Sequence, residues 1–377
     1  MLKQFFDWVG NLPPLAQVPV VIAAFVAVVG LLLFFLEVAP RSGRGYSILR
    51  VVVSIAVPAL VLFLFGSIWW AIAIAAVLGG ALFLMDYRSK QGKGYILQLV
   101  GFLAPAVFLL LIGLVYPSIQ TIFAAFYSSR GRFVGLENFQ WIFSQPDNLV
   151  TIRNTIIWVL VVPTVSTIAG LAYAVFIDRS RGEKFFKILV FMPMAISFVG
   201  ASIIWRFIYG YREAGQSQYG ILNGIVTLFG GTPVNWLQQA PLNTFLLIVV
   251  LIWVQTGFAM VVLSAAIKGV PTEQIEAAEL DGTNAWQRFT NVTVPGIRSS
   301  LVVVLTTISI ASLKVFDIVR TMGTAYPDTG VIANDMITLA QNFETGRSAA
   351  FAVLLFVLVL PIVIYNARII KKQREIR

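Results

Sequence analysis

The fold is decided by residues 268–298, which read KGVPTEQIEAAELDGTNAWQRFTNVTVPGIR. Long apolar segments flank this stretch, at 243–267 and 299–319, and each is long enough to cross a bilayer as a helix. The stretch between them is polar and acidic, and charged groups are costly inside a bilayer. We therefore predict a membrane protein in which residues 268–298 form a loop at the membrane surface.

Two short helices joined by a glycine turn are predicted within the 268–298 loop. Thr272 is expected to cap the first helix, and Gly282 can adopt the positive φ that ends it. Asn284 is expected to cap the second helix, which carries Trp286 and Phe289. One interpretation is an amphipathic loop lying on the inner leaflet, but that leaflet is anionic and the loop is acidic. Exposed carboxylates and small residues favour a docking element for a soluble partner.

The composition of the whole chain agrees with a membrane location. Of its 377 residues, 58% are hydrophobic and only 12% are charged, and the mean hydropathy is +0.86. Soluble domains carry about 25% charged residues. Cysteine and histidine are both absent, which excludes disulfides and the metal sites or catalysis that depend on those side chains. We therefore expect no metal site and no catalytic residue of those kinds.

Nine apolar segments are long enough to span a membrane. The predicted fold class is therefore all-α, a polytopic membrane helix bundle of about nine transmembrane helices. The first three belong to an N-terminal region, residues 1–95, and the other six to a core, residues 96–377. Residues 48–85 are too long for one ordinary span and are predicted to form a tight hairpin of two. The spans are expected at 18–39, 48–65, 68–85, 97–117, 153–177, 186–208, 243–267, 299–319 and 350–369.

The basic residues orient this layout. There are 27 Lys and Arg against 17 Asp and Glu, and five alternating segments hold 18 of the 27. An excess of basic residues marks cytoplasmic loops, so the N-terminus is predicted outside and the C-terminus in the cytoplasm. The formal charge of +10 is thereby attributed to orientation against membrane lipid and not to nucleic acid. The five segments that hold these 18 residues are 40–50, 86–96, 178–187, 268–298 and 368–377.

A spaced motif lies in the 268–298 loop. Its members are Glu276, Ala277, Ala278, Gly282, Val292, Val294 and Pro295. In this order and spacing the motif resembles the EAA loop of binding-protein-dependent ABC importer permeases, where Ile and Leu stand in place of Val292 and Val294. The resemblance covers residues 97–377 and implies a type I ABC importer permease fold in the cytoplasmic (inner) membrane of a prokaryote. The residues it assigns to ATPase coupling are Glu276, Ala277, Ala278, Asp281, Gly282 and Pro295.

The same resemblance implies the partners and the energy source. It implies a second, homologous permease subunit, two ATPase subunits and an extracytoplasmic sugar-binding protein, working by alternating access. The sequence contains no G-x-x-x-x-G-K-[ST] loop for a nucleotide. No cofactor is therefore expected on this chain, and ATP and Mg are expected on the partner ATPase subunits. Because the resemblance places ATP hydrolysis there, this chain is expected to have no catalytic residue and not to be an enzyme.

Further stretches resemble the maltose and α-glucoside branch of that family. They are residues 135–139 and 313–318, whereas residues 322–328 replace a glycine-rich stretch of the branch. An oligosaccharide, an α-glucoside or maltose-like sugar, is therefore the expected substrate. The alternatives within the family are glycerol-phosphate and polyols. Outside it they are an ion-coupled secondary transporter and a membrane-embedded transferase, although the spans carry few acidic residues for either.

Five residues are candidates for contact with the sugar. They are Trp253, Gln255, Thr256, Phe258 and Ser312. Counted back from the 268–298 loop, the first four resemble the sugar-contacting stretch of maltose-type permeases. A few polar groups beside aromatic faces suit an uncharged polar ligand. The alternative is ordinary helix packing, in which hydroxyls bond across helices and tryptophan fills space.

Three charged residues fall within or near predicted spans. Lys314 and Asp317 are three apart, can meet on one helical face, and are predicted to form an intramembrane ion pair. A coupling or gating role is the alternative. Arg206 lies near the outer end of its span and is expected to extend toward the interface.

Overall fold

The computed structural model describes residues 103, 107, 110–178, 180–323, 326 and 328–376. The N-terminal region, with its three predicted spans, lies outside these residues, as does most of the predicted span 97–117. The chain divides into two compact units, Met1–Ser118 and Ile119–Arg377. Apart from the turn Leu111–Val115 and the first residues of the helix Tyr116–Ala124, the elements described below belong to the second unit.

The described part of the chain is mostly helical, which confirms the all-α expectation. One isolated β-bridge joins Tyr127 and Phe133. The helices are α1 (Tyr116–Ala124), α2 (Glu137–Ser144), α3 (Pro146–Ile177), α4 (Glu183–Phe191), α5 (Phe198–Ile208), α6 (Ile221–Leu228), α7 (Leu242–Lys268), α8 (Thr272–Leu280), α9 (Ala285–Arg288), α10 (Val294–Gly296), α11 (Arg298–Leu313), α12 (Ile332–Gln341) and α13 (Thr345–Ile376). The 3₁₀ and π-helical turns are Leu111–Val115, Met192–Ala195, Trp236–Gln238, Phe289–Thr293 and Val319–Gly323.

Three of these helices are long and apolar enough to cross a membrane unbroken. They are α3, α7 and the Thr345–Tyr365 stretch of α13. They match the predicted spans 153–177, 243–267 and 350–369. Two bent pairs bring the number of candidate spans in the described residues to five if each pair counts as one. The total of nine spans therefore stays a prediction.

The predicted span 186–208 is not one straight helix. It is formed by Glu183–Ala195 and Phe198–Ile208, which are bent by 104° at their junction. Pro193 lies in the 3₁₀ turn before the break, where its ring and missing N–H disfavour a continuing helix. Ser197 then starts a new helix, because its hydroxyl accepts a hydrogen bond from the Gly200 amide at 3.1 Å.

The predicted span 299–319 is also corrected. Helix α11 ends at Leu313, so residues 314–319 do not continue it. At its other end α11 follows Ala285–Gly296 with a bend of 69°. The sequence pattern does not show this end, because residues 315, 316, 318 and 319 continue the apolar run although the backbone leaves the helix at 314–316.

Helix α7 is the centre of the packing and contacts α3, α4 and α11. Glycines permit two of these contacts. A Cβ on Gly170 of α3 would lie 2.5 Å from the Cβ of Ala259, and one on Gly257 would lie 2.6 Å from the Val190 carbonyl oxygen. Small residues at such crossings let helix backbones approach closely.

The ends of α3 and α7 show that these helices run in the same direction. Near their N-terminal ends, Asn154 Nδ2 and Thr244 Oγ1 both donate to the Asp328 carbonyl oxygen, at 2.7 Å and 3.2 Å. At their C-terminal ends, Ser264 Oγ of α7 donates to the carboxylate of Asp178, the C-cap residue of α3, with distances of 2.8 and 2.9 Å to its two oxygens. The chain between α3 and α7 must therefore return once, and the bent pair α4–α5 makes that return.

Candidate functional site: the 268–298 loop and its neighbours

The first helix of the 268–298 loop, α8, begins one residue earlier than predicted. Pro271 precedes it as the N-cap residue, and Thr272 is its first helical residue. The structure records no side-chain capping bond at this end. The expectation that Thr272 caps the helix was therefore wrong, because the extended backbone at Pro271 already directs the chain into the helix.

Helix α8 ends at a glycine turn, as predicted. Gly282 has φ of +77°, and its amide donates to the Glu279 carbonyl at 3.0 Å. The Thr283 amide and hydroxyl both donate to the Ala278 carbonyl, at 3.2 and 2.6 Å. This pair of backbone bonds is a Schellman motif, which satisfies carbonyls that the helix end leaves free.

The second helix, α9, is capped as predicted and braced against α8. Asn284 and Gln287 form a reciprocal capping box, with bonds of 2.8 and 2.9 Å. Arg288 then reaches back, with one guanidinium nitrogen 3.1 Å from a Glu279 carboxylate oxygen and another 2.6 Å from the Thr283 carbonyl oxygen. The loop is therefore internally ordered. The Arg288 brace was not predicted, because it depends on the angle between the two helices.

The loop has an inner and an outer face. Ile275 and Val292 pack against the main hydrophobic core. On the opposite face Leu280 is 91% exposed and Trp286 is 71% exposed. Apolar side chains beside free carboxylates make this face suitable for docking. Most of the residues that the motif assigned to coupling are exposed to solvent. Ala278 is half-buried, and the exposed ones are Glu276, Ala277, Asp281, Gly282 and Pro295.

The predicted sugar contacts lie on α7 and on the last turn of α11. Trp253, Gln255 and Phe258 are half-buried, and the Trp253 ring meets the Trp205 ring edge-on at 5.8 Å. Thr256 and Ser312 are buried, and their hydroxyls donate to the Ile252 and Ile308 carbonyls at 2.7 and 2.8 Å. Both hydroxyls are therefore satisfied within their own helices. A role in sugar contact stays a prediction for all five residues.

The structure does not bring Lys314 and Asp317 together. Among the residues that it describes, no ion pair joins the two side chains. The physical reason is the end of α11 at Leu313: Lys314 occupies the C-cap position and is exposed, so the three-residue helical spacing does not apply. Arg206 is exposed in the last turn of α5, where a cation is favourable to the helix dipole.

Polar groups also tie the opposite end of the bundle. Thr151 donates to the Asp335 carboxylate at 2.5 Å, and Thr155 accepts from the Ile332 amide at 3.0 Å. Burial raises the pKa of the Asp335 carboxyl group, because the charged form loses solvation. No group of acidic side chains placed to hold a metal ion occurs within the part of the chain that the structure describes.

Long and bent apolar helices with an ordered, exposed loop indicate a membrane-embedded helix bundle. Comparison with known proteins identifies its family. The family model for the binding-protein-dependent transport system inner membrane component matches residues 151–375. This chain belongs to that family of ABC transporter permeases.

The relatives and solved structures agree. The chain is 46% identical over 278 residues to the osmoprotective compounds uptake permease protein GgtC of Synechocystis, covering 73% of this chain and 100% of the relative. It is 48% identical over 270 residues to the alpha-glucoside transport system permease protein AglF of Rhizobium meliloti, covering 71% and 80%. A bacterial ABC transporter that imports the acidic polysaccharide alginate has the same fold, with a TM-score of 0.65, 23% identity and coverage of 76% and 99%.

Proposed function

We propose that this permease carries an oligosaccharide of the α-glucoside or maltose type across the membrane. The observation that carries the proposal is the 48% identity to the alpha-glucoside permease AglF. The trehalose/maltose permease MalF of Thermococcus litoralis, 28% identical over 302 residues, supports the same substrate class. The half-buried Trp253, Gln255 and Phe258 on α7 are the side chains that we propose for contact with the sugar.

A second candidate substrate is a small osmoprotective solute. The 46% identity to GgtC, which this chain matches over the whole length of that relative, favours it. Competition for uptake between maltose and an osmoprotective compound distinguishes the two candidates.

The energy for transport comes, in this proposal, from two ATPase subunits that bind ATP and Mg and dock on the 268–298 loop. The exposed Leu280 and Trp286 offer apolar contact, while Glu276 and Asp281 offer charge beside it. The Schellman turn and the Arg288 brace hold α8 and α9 at one angle. The two helices therefore move as a rigid unit when the ATPase subunits displace the loop. A homologous permease subunit completes the bundle, and alternating access follows from the ATPase cycle.

An extracytoplasmic sugar-binding protein is the proposed donor of the substrate. A cavity of about 540 Å³ lies between residues 128–138 and the start of α13. It is lined by Arg130, Arg132 and Arg347, and Arg347 is held by Glu344 at 2.6 Å. Cationic groups at this opposite end of the bundle offer a surface for acidic side chains of such a partner.

The test is uptake by the assembled complex in proteoliposomes, with binding protein and ATP supplied. Labelled maltose should accumulate, and excess unlabelled α-glucoside should compete with it. Glycerol phosphate and a polyol serve as control competitors and should have no effect. Uptake of a labelled osmoprotective compound without uptake of maltose would replace the first candidate by the second.

A further inference from the structure

Five side chains from three helix ends meet at the end of the bundle next to the 268–298 loop. We call them the charged joint: Asp178, Glu183, Lys187, Ser264 and Lys268. Lys187 Nζ lies 2.6 Å from Asp178 Oδ1, 2.8 Å from Glu183 Oε1 and 2.6 Å from Ser264 Oγ. Lys268 Nζ contacts the same Glu183 oxygen and lies 3.9 Å from Asp178 Oδ1.

The charges of the joint balance one another, and the donors of Lys187 are all satisfied. Two carboxylates face two ammonium groups, and Lys187 places its three donors on three different acceptors. The Asp178 side chain is only 11% exposed and that of Lys187 is 24% exposed. Separating such a pair would leave a poorly solvated charge without its partner, which costs far more than breaking a surface pair. The Asp178–Lys187 pair therefore ties the ends of α3 and α4 firmly together. Ser264 and Lys268, whose side chain is 52% exposed, connect the end of α7 to that pair.

The joint lies at the point where α7 ends and the loop begins. Lys268 is the last residue of α7, and α8 begins four residues later at Thr272. Between them Val270 is buried in the core, and a Cβ on Gly296, at the return of the loop, would lie 3.3 Å from the Val270 side chain. Both ends of the loop thus meet at Val270, two residues after Lys268. A displacement of the loop acts on Lys268 before it acts on the rest of α7.

The other members of the joint lie on helices that cannot slide freely past α7. Glu183 and Lys187 are on α4, which approaches α7 so closely that Gly257 has no room for a Cβ beside Val190. Asp178 is the C-cap residue of α3, which meets α7 tightly at Gly170. Beyond α4 the chain turns by 104° into α5. A movement of α4 therefore changes the position of that bend.

We propose that the charged joint transmits movement of the 268–298 loop to α3 and α4, which makes Lys187 and Lys268 positioning residues for coupled transport. The inference rests on the proposed function as an ATP-driven permease. It concerns residues outside the loop motif and assigns them no contact with the ATPases or with the sugar.

The first experiment measures sugar taken up per ATP hydrolysed by the complete reconstituted complex. Lys268→Gln should lower this ratio about fivefold or more, in the range of typical couplings between sites, while the ATPase subunits still copurify. Lys268→Arg keeps a cation within reach of Glu183 and should restore most of the ratio. Lys184→Gln is the matched control, because Lys184 is an exposed lysine of α4 that forms no ion pair among the described residues. An unchanged ratio in Lys268→Gln would overturn the proposal.

A double substitution distinguishes a joint from two independent charges. Glu183→Gln with Lys268→Gln should lower the ratio no further than the worse of the two single variants, because both remove the same interaction. Additive losses would contradict a shared role.

The second experiment needs no substrate. Because the chain has no cysteine, Lys184→Cys places a single reporter thiol on α4. In the assembled complex its labelling rate should change between the nucleotide-free and the vanadate-trapped states, and adding Lys268→Gln should abolish the change. A change of equal size with and without Lys268→Gln, or no change in either, would refute transmission to α4. A wrong substrate proposal would leave this result unaffected.

Discussion

At Gly282 a single backbone angle determines the shape of the 268–298 loop. Its φ is +77°, yet a Cβ there would find no atom within 4 Å. The cost of a side chain is therefore conformational, about 1–2 kcal/mol for a left-handed non-glycine residue. We expect Gly282→Val to lower transport and to weaken copurification of the ATPase subunits while the permease remains folded.

Two substitutions control the Gly282 prediction. Gly282→Asn should be milder, because asparagine tolerates the left-handed region. Gly224→Ala adds a Cβ at an equally open glycine that does not have a positive φ, and should leave transport unchanged. Full transport by Gly282→Val, measured in proteoliposomes, would show that the loop does not need this turn.

The residues proposed for sugar contact make a second prediction at this scale. Trp253→Ala and Gln255→Ala should abolish uptake of labelled maltose while assembly and basal ATP hydrolysis persist. The buried Thr256, whose hydroxyl is satisfied by the Ile252 carbonyl, is the comparison. Thr256→Ser keeps that bond and should retain uptake. Unchanged uptake in both alanine variants would remove α7 from the sugar path.

The half-buried Asp335 carboxylate predicts a dependence of stability on pH. Its pKa is raised by burial, so the folded state binds the proton more tightly than the unfolded state. The contribution of this group is then present at low pH and is lost as the pH rises through its folded pKa. Asp335→Asn should remove that loss. Thermal unfolding in detergent should show Asp335→Asn gaining stability relative to the parent protein as the pH rises. A difference in unfolding temperature that stays constant with pH would contradict this prediction.

At the scale of elements, the helix crossings depend on glycine. Gly170→Val would force a side chain into the space held by Ala259 and the Met260 backbone, where even a Cβ would lie at 2.5 and 2.7 Å. Overpacking of this kind costs about 1–3 kcal/mol or more. We expect a clear fall in the thermal unfolding temperature in detergent. Gly224→Ala again serves as the control, and equal unfolding temperatures would show that α3 and α7 separate more easily than the packing implies.

Local sequence accounts for much of these elements. Asn284 and Gln287 form their capping box within one turn, and Gly282 ends α8 within its own backbone, so their neighbours in sequence suffice. A proline alone does not locate the break at Pro193, because Pro163 and Pro361 lie inside continuous helices. Whether a proline breaks a helix in a bundle depends on which neighbours satisfy the freed backbone groups.

At the scale of the whole molecule, the basic residues predict the orientation of the chain in the membrane. The distribution of basic residues predicts nine spans with the N-terminus outside. Single cysteines at Gly45 or Gly92 should label only from the inside, and at Phe5 or Gln140 only from the outside. An impermeant thiol reagent on intact cells and inverted vesicles distinguishes the two. Outside labelling at Gly92 would refute the layout.

Sequence alone determined the membrane location, the long apolar helices α3, α7 and α13, and the glycine turn with its capped second helix. These follow from composition, from the length of apolar runs and from bonds within a few residues. Tertiary structure decided the 104° bend between α4 and α5, the end of α11 before Lys314, and the charged joint. In that joint Ser264 meets Asp178 across 86 positions of the chain. Such pairings depend on which helix ends the packing brings together, because a charged side chain binds whatever partner lies within reach in space.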